Sequence, residues 1–113
     1  MRRTVLWLAL IALALPWQIT AAKERVVVCA KYATNYDWSN GYQVEATVLT
    51  GQDLNQATSS FGYQSYATYV AIFWSQDEVS IIQLDSPYLS AIAQEGVDQR
   101  GRRWQISKTS LCI

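Results

Sequence analysis

The sequence predicts an all-β domain, or a β-rich α+β one: a small antiparallel barrel or two-sheet sandwich of five or six strands, with one short helix near 87–95. Three observations carry this. First, residues 67–74 (ATYVAIFW) and 79–84 (VSIIQL) are apolar runs joined by the polar turn formers Ser75, Gln76, Asp77 and Glu78. β-Branched and aromatic residues without Gly or Pro read as strands, and a four-residue connection suits a hairpin. Second, residues 42–49 alternate apolar and polar as far as Val48, the pattern of a strand with one face in water. Third, short runs of this kind recur between turn signals, with no internal repeat, linker or low-complexity tract. The periodicity leaves barrel and sandwich open.

The 113 residues leave room for one domain. Residues 1–22 are expected to lie outside it. Met1-Arg2-Arg3 is a positive start, and Val5 to Leu15 is a run of 11 apolar residues. Pro16 and Gln18 break the run, and Thr20-Ala21-Ala22 offers small residues for cleavage. That is the layout of a secretory signal peptide, and the run is shorter than the ~20 residues of a spanning helix. Residues 23–113 then form a single disulfide-stapled β-rich domain, secreted or periplasmic, with no stable membrane insertion after cleavage. Without Arg2 and Arg3 it carries 7 basic and 9 acidic residues. Nucleic acid is not an expected partner at that balance, because its recognition rests on clustered Lys and Arg.

The first strand is expected over residues 25–32, with Val26, Val28, Ala30 and Tyr32 on one face and Val27 and Cys29 on the other. Residues 34–41 (TNYDWSNG) read as a loop ending in an Asn-Gly turn. In the second strand, Tyr42, Val44, Ala46 and Val48 share the apolar face. Residues 52–58 can make one helical turn. Residues 59–65 (SSFGYQS) lead into the central hairpin, whose first strand has no polar position from Tyr69 to Trp74 and so expects cover on both faces.

Ser86, Pro87 and Gly96 punctuate a helix, with Leu89, Ile92 and Ala93 on one face, although a short strand or extended loop could use the same residues. Asp98 and Gly101 fit the first and fourth positions of a type I turn, and residues 103–107 return as a strand. Cys29 and Cys112 are the chain's two cysteines. In an exported chain they are expected to pair and tie the two ends of the domain together.

The residue types exclude most catalytic machinery. Histidine is absent, which removes Ser-His and Cys-His nucleophile systems, imidazole bases and the common zinc sites. No phosphate-cradling glycine loop, nucleophile elbow or calcium-loop spacing is present. A carboxylate pair of the glycosidase type has candidates, but Asp77, Glu78 and Asp98 lie in hairpin turns and Glu45 on a polar strand face, where solvated surface is the ordinary explanation. Arg100, Arg102 and Arg103 at a hairpin tip read likewise as exposed charge, though an acidic partner could meet them. No enzyme activity, cofactor or metal is expected.

The informative anomaly is aromatic residues among small polar ones in two loops: Tyr36 and Trp38 before Tyr42, and Tyr63 and Tyr66 beside Phe61. Such loops either plug the ends of a small β domain or supply rigid anchors for binding. On the second reading, Tyr36, Trp38, Tyr63 and Tyr66 are the ligand-binding residues of an exported, non-enzymatic module for a protein or glycan. The competing expectation is a structural component of the cell envelope that assembles by strand pairing.

Overall fold

Each strand pairs with the one before it, and the last pairs with the first. The computed structural model describes residues 23–113; the expected signal peptide, residues 1–22, lies outside the described residues. The strands are β1 (Glu24–Tyr32), β2 (Tyr42–Thr50), β3 (Thr68–Ser75), β4 (Glu78–Leu84), β5 (Gln94–Val97) and β6 (Arg103–Ser107). They form a closed, all-antiparallel barrel in chain order, so the architecture is the barrel and not the sandwich. Connections therefore alternate between two ends. The β1–β2, β3–β4 and β5–β6 connections meet at what we call the upper end; the β2–β3 and β4–β5 connections meet at the lower.

Alternation along the strands fills the interior. Val28 and Ala30 of β1, Ala46 of β2, Val70 and Ile72 of β3, Ile82 and Leu84 of β4, and Trp104 and Ile106 of β6 form the core. Val26, Val44 and Val48 pack against it, as the periodicity of β1 and β2 predicts.

A second cluster lies outside the barrel. The segment 52–58 is a two-turn helix, α1 (Gly51–Thr58), longer than the single turn expected. Thr50 caps it, accepting from the Asp53 amide while the Asp53 carboxylate accepts from the Thr50 amide, a reciprocal capping box. Leu54 then lies against Leu49, Tyr69 and Ala71, with Tyr63, Ala67 and Ile81 at the margin. This helix covers the outer face of β3 only in part. Phe73, expected to be covered, is 71% exposed beyond the reach of α1.

No helix forms over 87–95. Ser86 and Ser90 accept from the amides of Tyr88 and Ile92, local bonds that compete with helical pairing. Gln94–Val97 is needed as β5, and Gly96 is not a cap: a Cβ there would lie 2.5 Å from the Gln83 carbonyl of β4. The expected four-residue turn between β3 and β4 is also tighter, because Ser75 pairs with Glu78 after a register shift at Trp74.

Cys29 and Cys112 are bridged, with Cα atoms 5.4 Å apart. Cys112 belongs to an extended tail after β6, which the bond holds against the outer face of β1. Gly41 sits under the two sulfurs, where a Cβ would approach them to 2.7 and 2.8 Å. It has no positive φ, so close approach and not an Asn-Gly turn accounts for this glycine.

Candidate functional site

Four aromatic rings close the upper end of the barrel. Tyr32 ends β1, Tyr42 begins β2, Trp74 is next to last in β3 and Trp104 is second in β6. Inward alternation at the strand ends turns all four toward one another. Tyr32 stacks on Tyr42 at 6.2 Å and Trp74 on Trp104 at 5.9 Å; edge contacts at 5.7 Å (Tyr32–Trp104) and 5.9 Å (Tyr42–Trp74) join the pairs into a cycle. Such pairs add to the area they bury. The Trp74 indole N–H donates to Ser80 Oγ at 2.9 Å. The neighbouring Tyr32 hydroxyl holds the Tyr42 phenol above its usual pKa.

Asp98 anchors the hairpin over this ring. Read from the sequence as a solvated turn residue, it is instead buried. Its carboxylate accepts from the Trp104 indole N–H at 2.9 Å and from the amides of Arg100 at 2.8 Å and Arg102 at 3.0 Å. Burial pushes the carboxyl pKa up, but the bonds from Trp104, Arg102 and Arg100 and the Arg102 charge outweigh it, and the pKa lies below the ordinary carboxylate value. The Gly101 amide returns to the Asp98 carbonyl, and Gly101 takes φ +86°, so the type I turn runs on into a left-handed residue as in a bulged three-residue hairpin.

The pinned turn presents two arginines. The Arg102 guanidinium lies 4.8 Å from the Tyr32 ring centroid, a cation–π contact. Among the described residues neither Arg100 nor Arg102 joins a salt bridge, whereas Arg103 turns outward to Asp85 and Glu95, which raise its pKa. Between the turn and the aromatic ring is an open hollow of about 580 Å³, lined by Tyr32, Tyr42, Trp74, Glu78, Arg100 and Arg102 among others. The mouth of a small barrel is a common place for a ligand.

The four residues expected to bind from the sequence are split between the ends. Tyr36 and Trp38 lie in the upper β1–β2 loop; Tyr63 and Tyr66 lie in the lower β2–β3 connection. No single surface joins the two pairs. Tyr36 stands at the loop apex, 98% exposed, while Trp38 is half-buried where its backbone bridges to Ala33. Tyr66 is 96% exposed, but Tyr63 is an edge partner of Tyr69 at 5.3 Å and serves the outer core.

Sequence reasoning passed over Trp74, Trp104 and Asp98 as site residues. The signal was present in the parity: Tyr32, Tyr42, Trp74 and Trp104 all occupy the inward register at the same end of their strands.

A second hollow, about 450 Å³, lies beside α1 at the lower end, against Gln52, Asn55, Gln56 and Phe61. Among the described residues no three His, Cys, Asp or Glu side chains gather as a metal-binding group, and no helix is long and apolar enough to cross a membrane. No family model, curated protein or solved structure matches the chain.

Proposed function

We propose that this domain is an exported, non-enzymatic binding module that engages a protein partner through its upper end. One observation carries the reading: arginine, tyrosine and tryptophan side chains are clustered around an open hollow on a rigid, closed barrel. Those three residue types dominate binding energy at protein interfaces. The Asp98 turn fixes the backbone that carries Arg100 and Arg102, so the loop itself needs little ordering on binding.

Two further features support it. Asp98, the buried carboxylate of the site, spends its oxygens on Trp104 and two backbone amides, which suits an anchor better than a proton carrier. The disulfide suits an oxidising compartment outside the cytoplasm, secreted or periplasmic. The rival assembly reading has less support, since pairing between copies needs a free strand edge. Here β6 pairs with β1, and the short unpaired stretch of β4 is partly covered by the Gln99 side chain.

The test is affinity capture from the exported fraction of the source cells. The wild type is run beside a Tyr42→Ala, Arg100→Ala, Arg102→Ala variant whose near-ultraviolet circular dichroism shows a native fold. A protein held by the wild type and lost by the variant supports the proposal. A protein held equally by both places the site elsewhere, and self-association alone favours assembly.

A further inference from the structure

We infer that the lower end of the barrel is a second binding surface, suited to a neutral polysaccharide and independent of the upper end. The first observation is electrostatic. No Asp, Glu, Lys or Arg occurs between Asp53 and Asp77 or between Asp85 and Glu95, and these stretches contain nearly all of both lower connections. The bounding carboxylates are engaged elsewhere, Asp53 in the helix cap and Asp85 with Arg103. Charge near this end gathers instead on β1 and the start of the tail, as in the Glu24–Lys108 pair.

The second observation is how the rings are presented. Phe61 and Tyr66 are almost wholly in solvent, and Tyr88 and Ile92 are largely exposed on the neighbouring connection. They do not sit on slack loops. The Asn55 side-chain amide donates to the Tyr63 carbonyl at 2.9 Å while its oxygen accepts from the Tyr63 amide at 3.0 Å. The Gln64 amide donates to the Tyr69 hydroxyl, and Thr68 Oγ1 donates to the Pro87 carbonyl, tying the β4–β5 connection to the start of β3. Phe61 and Tyr66 thus project from either side of a pinned segment.

The third observation is the hollow next to Phe61, whose mostly apolar surface is edged by amide and hydroxyl side chains. Among the described residues, the side chains of Gln52, Gln56, Ser59 and Ser65 around it make no hydrogen bond within the protein. Amides and hydroxyls both donate and accept. A pyranose presents an apolar C–H face to an aromatic ring and hydroxyls to such groups. An acidic polymer or an anionic bilayer finds no cation in either connection. Phe61 supplies the aromatic ring, and the amides and hydroxyls beside it supply partners for the sugar's hydroxyls.

The test exposes the full chain to particles of cellulose, chitin and insoluble starch and to an alginate gel, at roughly 0.01 M and 1 M salt. A Phe61→Ala, Tyr66→Ala variant and an Arg100→Ala, Arg102→Ala variant run beside it. Both lower-end rings are solvent-exposed, so their loss leaves the fold intact, with near-ultraviolet circular dichroism as the check. We expect retention on at least one neutral polymer at both salt levels, about tenfold weaker for the lower-end variant and unchanged for the arginine variant. Three outcomes overturn the inference: no retention on any of the three neutral polymers, equal retention by the lower-end variant, or retention confined to alginate and lost at high salt. The arginine variant separates the two ends, because it impairs the proposed protein site alone.

Discussion

Asp98 joins three parts of the upper end through one carboxylate: the Trp104 indole in the barrel mouth and the two arginine amides of the turn. Replacing it with alanine leaves a buried indole N–H and the turn amides without their acceptor. A buried group stripped of its partner costs about 1–3 kcal/mol, so we expect Asp98→Ala to lower urea-measured stability by that amount. Tryptophan emission should shift as Trp104 meets water. The pH dependence has a definite sign. A carboxyl whose pKa is lower folded than unfolded contributes its stability above the unfolded value, about 4, and loses it as pH falls through the folded value. The wild type should therefore lose stability on acidification below about pH 4, with a smaller loss in Asp98→Asn. At this scale the sequence was only partly legible. Type I turn chemistry at Asp98 and Gly101 could be read, but turn residues are usually wet, and only the closed barrel turns this one inward. Gly41 misled in a similar way, since what it accommodates is a disulfide contributed by residues distant in sequence.

Among the elements, β5 depends most on side-chain help. Its backbone meets β4 only at Gln83–Val97 and Leu84–Gly96, which leaves the upper half of β4 unpaired with β5 on that side. Gln99 fills part of the gap: its Nε2 donates to the Val79 carbonyl and its Oε1 accepts from the Ile81 amide, both at 2.8 Å. The side chain imitates one more residue of strand. We expect Gln99→Ala to speed hydrogen exchange at the Ile81 amide by an order of magnitude or more, with β1–β2 amides unchanged. Exchange at Ile81 as slow as in the wild type would show that another group closes this seam. The long strands β1–β4 and the return strand β6 were readable from alternation and β propensity, which act over neighbouring residues. β5 was not, because four residues with a glycine inside them carry no period. Ser86, Pro87 and Gly96 resemble helix punctuation, yet their roles come from serine–backbone turns and close strand packing. On the outer face, Phe73 differs from Tyr69 and Ala71 only in lying beyond α1, which no local pattern records.

For the whole molecule, the disulfide is the largest single constraint. Cys29 and Cys112 are separated by 83 positions, and loop-entropy arithmetic assigns such a bond roughly 4–5 kcal/mol. A Cys29→Ser, Cys112→Ser variant should therefore lose a third or more of the stability of a small domain, about 5–15 kcal/mol in total. Thermal unfolding followed at the tryptophans measures this; a midpoint unchanged by the substitution would show that the barrel holds without its staple. The pairing was legible from cysteine count and export signature. Barrel closure was not, because it depends on β6 meeting β1 and neither strand's own pattern names its partner.

The position of that bond also governs how the domain bears load. β6 and β1 close the barrel through only four register pairs, Cys29–Ser107 to Tyr32–Trp104. Tension applied at Lys23 and Ile113 is carried across that seam by the covalent link at its lower end. Only the start of β1, Glu24 to Val28, can then be peeled from β2, and the rest of the barrel is shielded from the pull. After reduction the same tension reaches the β1–β6 ladder directly, and the 83 positions between the cysteines can extend by roughly 270–300 Å. A single-molecule extension trace should therefore show at most a short release from the start of β1 when oxidised and one long release when reduced.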